Sequence, residues 1–416
     1  MRENKRHTPV GVNDILEKEC AARREMTGRI HKVFKGHGYF EVQTPTYEFA
    51  EIFSSENKQS STKHLKFFDR SGALLTMRPD ITAPIARVAA TKMSHCATPY
   101  RLCYFGQAYT DTESYSGALQ NEFTQAGIEL IGIKSANADA EVIAVTIEAL
   151  LAVGLSDFQI ELGQAEYFKG LMSRAGLSGD IEEEFRLLIH KKSVVAVEDL
   201  ANNYISDETL RQTVLELSNK FGDVSLLEDR AGLGKRECSA LDNLIEIYDV
   251  LCKYGYERYI TIDLGLVSGL DYYTGVIIKG FARGIGFPIC KGGRYDNLIG
   301  EFGKDLPATG VAIGIDRLIS VLPEKDTSVH ADTIVCYNRT AQERALSVAK
   351  ALRGKDVITQ IWLEADDFDG AREYALEYGI GGLVHVMEGK EIQIVNLSDE
   401  KIIITSIDEL LKGGIF

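Results

Sequence analysis

The stretch that most constrains this chain runs from Arg101 to Gly132, RLCYFGQAYTDTESYSGALQNEFTQAGIELIG. It reads as an antiparallel hairpin: a strand over Leu102–Tyr109, a polar tip over Thr110–Gln120, and a returning strand over Phe123–Ile131. Aromatic and branched residues favour the strands, and Asp, Ser and Gly favour the turn. Between Arg101 and Lys134 there is no Lys or Arg; apart from Cys and Tyr the ionisable residues are Asp111, Glu113, Glu122 and Glu129. A site built on this hairpin is therefore an acceptor site, suited to a cationic or hydrogen-donating ligand and repellent to a polyphosphate.

The rest of the chain is that of an ordinary globular protein of two or three domains, with 416 residues and a net charge of −15. That charge argues against a nucleic-acid surface as its main business. Seven cysteines without a CxxC pair read as buried thiols of a reduced, cytoplasmic protein rather than a metal or redox site. There is no apolar run of membrane-spanning length, and the polar N-terminus does not read as a signal peptide.

Periodicity predicts a helix over Ile15–Lys35 and a strand over Tyr39–Tyr47 interrupted by Pro45. Residues 51–65 read as a polar loop, followed by short strands at Phe67–Asp69 and Leu74–Met77. Asp80 or Thr82 is placed to cap a helix over Ala83–Lys92. Past the hairpin come a largely apolar helix (Asp139–Val153), a strand (Phe158–Gly163) and a long helical stretch. The sheet then resumes at Tyr259–Leu264, Tyr272–Gly280 and Val311–Ile315. From Ala331 onward strands alternate with helices, which predicts a small α/β domain.

Three clusters point at one pocket. Arg78-Pro79-Asp80-Ile81-Thr82 offers a carboxylate and a hydroxyl on a turn. Gln125 and Glu129, four apart on a strand, share a face. Tyr272 and Tyr273, in LGLVSGLDYYTG, fall at the start of a strand and so point to opposite faces. Singly, each has a plainer reading as a helix cap, a solvent-facing acid or sheet packing. Their joint presence carries the functional one.

These strings resemble the histidyl-tRNA synthetase family from about Thr8 to Pro323. They are Pro9–Asp14, the Arg-Pro-Asp-Ile-Thr turn, residues 125–132, GLDYYTG (269–275), GGRYD (292–296) and GVAIGIDRL (310–318). The resemblance implies an α+β, class II aminoacyl-tRNA synthetase-like core, an antiparallel six-stranded sheet with flanking helices, formed by residues 1–165 and 255–323. It also implies a helical insertion over residues 166–254, an anticodon-binding-like α/β domain over residues 331–416, and a homodimer. It further implies a histidine-binding site. Asp80, Thr82 and Gln125 would meet the ligand's amino group, and its imidazole would lie between Glu129 and Tyr273, with Tyr272 beside it.

The resemblance stops short of the synthetase reaction. Adenylate formation needs cations around the α-phosphate of ATP. Two of the family's arginine positions are Thr110 and Ser268 here, and only Arg317 remains. Losing a single such donor typically costs ~10²–10³ in rate. Over residues 331–416 there are 9 Lys and Arg against 15 Asp and Glu, a balance of −6 that would repel a tRNA backbone.

A histidine pocket without these arginines resembles the ATP phosphoribosyltransferase regulatory subunit family. That resemblance implies a non-catalytic subunit with no cofactor or metal of its own. Its partner would be the short-form catalytic subunit of the first step of histidine biosynthesis, with histidine as feedback effector. The alternatives are an altered histidyl-tRNA synthetase or a synthetase-derived amino-acid sensor. For the ligand's carboxylate, with Ser268 in place of an arginine, the candidate partners are Arg78, Lys291 and Arg294.

Overall fold

The computed structural model describes residues 6–53, 64–110, 120–267, 273–323 and 330–412. It forms two compact units, Met1–Lys325 and Asp326–Phe416. The first opens with helix α1 (Glu17–Gly36), short strands β1 (Phe40–Glu41), β2 (Tyr47–Phe49), β3 (Lys66–Phe68) and β4 (Leu74–Met77), and helix α2 (Thr82–Thr91). The hairpin strands β5 (Tyr100–Tyr109) and β6 (Glu122–Ile131) follow, then α3 (Ala136–Ala152) and β7 (Phe158–Gln164). Helices α4 (Ala165–Arg174), α5 (Asp180–His190), α6 (Val194–Tyr204) and α7 (Glu208–Glu216) lead through β8 (Phe221–Gly222) into α8 (Lys235–Tyr254). The unit ends with β9 (Ile260–Asp263), β10 (Val276–Ala282), β11 (Cys290–Arg294), β12 (Ala308–Gly314) and α9 (Ile315–Val321).

Nine of these strands form one sheet in the order β1-β5-β6-β12-β11-β10-β7-β9-β8. The six from β5 to β7 run antiparallel to one another; β1 adds in parallel beside β5, and β9 adds in parallel beside β7, with β8 antiparallel beyond it. The sheet is thus wider than six strands, and mixed at its margins. One face carries the main core. Ala126, Ile128 and Leu130 of β6 share that core with α3, of which eleven residues are buried. Helix α3 starts cleanly because Ser135 Oγ accepts from the Ala138 N–H at 3.2 Å. On α1, Met26, Ile30 and Phe34 recur every four residues and are buried on one stripe of the helix. The alternate residues of β6 face the other way, toward a second cluster that includes Ile81, Tyr104, Tyr273 and Tyr295.

Three sequence expectations are corrected. Cys290–Arg294 is a strand that its Lys-Gly-Gly composition does not suggest; it forms because β10 and β12 offer ladders on both sides. The stretch around Pro45 is two strands in different sheets: β1 pairs with β5, whereas β2 joins the three-stranded sheet β2-β4-β3. The strand expected from Tyr272 begins only at Val276, so strand alternation does not govern Tyr273.

In the second unit, β13 (Thr333–Tyr337), α10 (Gln342–Arg353), β14 (Thr359–Ile361), α11 (Phe368–Glu377), β15 (Gly382–Val386), β16 (Glu391–Asn396), β17 (Ile402–Ser406) and α12 (Ile407–Lys412) follow in order. The sheet order is β14-β13-β15-β16-β17, parallel across β14, β13 and β15 and antiparallel beyond. Among the described residues no helix is long and apolar enough to cross a membrane.

Candidate ligand pocket

Glu129 is the centre of the second face. It projects from β6, is 1% exposed, and has no cationic partner among the described residues. Its carboxylate is held by two hydroxyls: Thr82 Oγ1 donates to Oε1 at 2.9 Å, and Tyr295 Oη donates to Oε2 at 2.5 Å. Burial pushes this carboxyl up to about 7; the two hydroxyl bonds oppose the shift and nearby Asp80 adds to it. Asp80, at the start of α2, is raised mainly by burial as well, and its Oδ1 caps the helix by accepting from the Ala83 N–H at 3.1 Å. Asp80 is thus both a helix cap and a buried neighbour of Glu129.

Register places the remaining groups. Gln125 is opposite Gly106 on β5 and Gly314 on β12, on the same face as Glu129. Its Oε1 is buried without a hydrogen-bond partner, and so is the Tyr104 hydroxyl. Such orphans are uncommon in a folded interior and are the natural contacts of a bound polar molecule. Tyr104 lies across Gly127, where a Cβ would come within 2.3 Å of its phenol oxygen. The Tyr273 ring is buried beside Gly293, and its hydroxyl is pushed well up by burial and by the charges of Glu129 and Asp80. Tyr272 and Ser268 lie outside the described residues.

Asp80, Thr82, Gln125, Glu129 and Tyr273 thus share one face of the sheet. Thr82 is engaged with Glu129 rather than facing the pocket alone. Sequence reasoning missed Tyr104 and Tyr295. Tyr295 was visible inside the GGRYD string, whereas Tyr104 is identified only by cross-strand register.

Of the three cations considered for a ligand carboxylate, two are otherwise engaged. Arg78 is buried, with Nε donating to Gln107 O at 2.8 Å and Nη1 to Thr44 O at 2.8 Å and Pro45 O at 3.2 Å. Arg294 lies on the opposite face of the sheet, in a buried ion pair with Asp139 of α3 at 3.0 Å. Thr110 serves as the end of the hairpin, its N–H donating to Asn121 O at 2.9 Å.

This sheet and pocket define a histidyl-tRNA synthetase-like protein, and the family model described as histidyl-tRNA synthetase matches residues 11–318. The solved histidyl-tRNA synthetase of Nostoc sp. PCC 7120 shares the fold, with a TM-score of 0.78 at 20% identity over 98% of both chains. The nearer likeness is to a different group. An ATP phosphoribosyltransferase regulatory subunit of Acetivibrio thermocellus is 41% identical, over 99% of this chain and 100% of its own. One from Ruminiclostridium cellulolyticum is 40% identical over 98% of each. The solved ATP phosphoribosyltransferase regulatory subunit/histidyl-tRNA synthetase of Bacillus halodurans C has a TM-score of 0.82 at 28% identity, covering 92% of this chain and 98% of that one. The chain belongs to the family of ATP phosphoribosyltransferase regulatory subunits.

Proposed function

We propose that this chain is the non-catalytic regulatory subunit of ATP phosphoribosyltransferase, acting in the cytoplasm in the first step of histidine biosynthesis. It associates with the short-form catalytic subunit and carries feedback inhibition by histidine. The observation that supports the ligand is the buried Glu129 beside Asp80, with no cationic partner among the described residues, on the same face of the sheet as the unpartnered oxygens of Gln125 and Tyr104. An ammonium needs carboxylate and neutral acceptors, and an imidazole N–H needs an acceptor at a fixed position.

In this reading the ammonium meets Asp80 and Gln125, with Thr82 close by. The imidazole meets Glu129 and Tyr273, with Tyr272 completing the set. Regulation follows from linkage: histidine binds one conformation of the complex better and shifts the catalytic subunit's population toward it.

The working division is a core of residues 1–165 and 255–323, a helical insertion over 166–254 and a C-terminal domain over 331–416. The core pairs as a homodimer, for which the exposed Tyr47, Phe49 and Phe67, on one face of the β2-β4-β3 sheet, supply an apolar patch. Light scattering on the purified chain should give twice the chain mass, and a monomer would remove that part of the proposal.

The deciding experiment is co-purification with a short-form catalytic subunit, followed by histidine titration of its activity. Wild type should confer inhibition, and Glu129→Ala and Asp80→Ala should abolish it while the complex still forms. Histidine-dependent ATP–pyrophosphate exchange by the purified chain would instead revive the synthetase reading.

A further inference from the structure

The pocket described so far supplies acceptors, and nothing in it answers a ligand's negative end. The same face of the sheet holds the missing charge two strands away. Glu129 pairs with Gly310 and Gly310 with Gly293, while Lys291 pairs with Ala312 and Ala312 with Gly127. Lys291 therefore lies on the Glu129 face, with its Cα about 12 Å from that of Glu129 by strand spacing and rise. The strand residues between them, Gly127, Gly310, Gly293 and Ala312, have at most a methyl group, so the side chains that lie over them are those of Tyr104, Glu129 and Tyr273, and these line the way from the acid to the lysine.

The Lys291 side chain reaches solvent along its length although its ammonium sits among packed neighbours, and it makes no side-chain ion pair or hydrogen bond among the described residues, whereas its rivals Arg78 and Arg294 are tied to backbone carbonyls and to Asp139. Its electrostatic surroundings are one-sided. Directly opposite on β10 is another cation, Lys279, and Arg317 of α9 is the other charge acting on it. Lys279 is itself offset by Glu161, its partner on β7, and by Asp263; no acid plays that part for Lys291. Burial and these two cations push the Lys291 ammonium down to about 8. Like charges placed directly opposite one another on neighbouring strands repel, and an anion resting on them removes the repulsion.

We infer that Lys291 is the carboxylate seat of the histidine pocket, the residue by which the site tells an amino acid from the corresponding amine or alcohol. This rests on the histidine reading above and adds to it the determinant of ligand class. Lys279 and Arg317 reinforce the seat through their field, and Lys291 makes the contact. Arg317 is less free to do so, because its Nη1 donates to Pro288 O at 2.5 Å.

The test is calorimetry of the full chain with histidine and with histidinol, whose alcohol replaces the carboxylate. Wild type should bind histidine at least tenfold more tightly, the scale of one charge-assisted hydrogen bond. Lys291→Met should cut that preference to about twofold or less, and Lys291→Arg should keep most of it. Lys291→Met keeps the aliphatic stem and removes the repulsion, so its thermal midpoint should not fall. If wild type shows the preference and Lys291→Met retains it in full, the seat lies elsewhere and the histidine pocket still stands. If wild type binds neither compound, the pocket reading and this inference fall together.

Discussion

Gly310 lies directly beneath the carboxylate of Glu129: a Cβ at that position would sit 1.6 Å from Oε2 and 2.6 Å from the Ile128 carbonyl oxygen. The acid can lean across β12 toward Tyr295 only because the strand has no side chain there. Backbone proximity of this kind is the use to which glycine is put inside sheets.

Gly310→Ala should therefore displace Glu129 from both hydroxyls. Overpacking of this kind costs about 1–3 kcal/mol of stability. Histidine affinity should fall at least tenfold with it, since the carboxylate would no longer face the ligand. Calorimetry and thermal unfolding of the variant check both, and unchanged affinity would remove Glu129 from the site.

The pH dependence of stability has a definite sign. Burial raises the Glu129 carboxyl from 4.5 to about 7, so the folded chain keeps a proton that the unfolded chain has already released. The group's contribution is fully present below about pH 4.5 and is lost as pH rises through 7. Glu129→Gln cannot titrate. The ligand-free variant should gain on wild type between those limits by about 3 kcal/mol at most. Parallel denaturation curves at pH 4.5 and pH 7.5 would contradict this.

Asp80 offers a way to separate capping from ligand binding. Asparagine caps a helix about as well as aspartate. Asp80→Asn should thus leave the thermal midpoint within about a degree or two of wild type, the equivalent of a few tenths of a kcal/mol. Histidine affinity should nevertheless drop about tenfold or more, through loss of the charge facing the ammonium. A variant that lost stability and kept affinity would reduce Asp80 to a cap.

Arg294 should behave as the counter-example to Lys291. Its ion pair with Asp139 is buried on both sides, with the two residues 6% and 1% exposed. Removing Asp139 leaves Arg294 with Asp296, at 3.0 Å, and the carbonyls of Ile133 and Ser135. Asp139→Ala should cost about 1–3 kcal/mol of stability, the scale of a lost hydrogen bond to a charged group. Where the variant remains folded, it should keep the preference for histidine over histidinol. A lost preference would move the carboxylate seat toward Arg294.

The hairpin, the acid-and-hydroxyl turn before α2 and the α/β pattern after Ala331 were all legible in the chain, because each is written in local periodicity and turn chemistry. So was the shared face of Gln125 and Glu129, since a strand alternates with period two. The strand β11 was not: Cys-Lys-Gly-Gly-Arg has little strand preference of its own and is held by partners on both sides. Nor could sequence choose among Arg78, Lys291 and Arg294. All three are cations near family-like strings, and only the register and the burial of their neighbours decide which remains free. Sequence determined which chemical groups the pocket could contain. The tertiary structure decided which of them are unspent, because hydrogen bonds and ion pairs between residues 29 to 166 positions apart are set by strand order rather than by spacing.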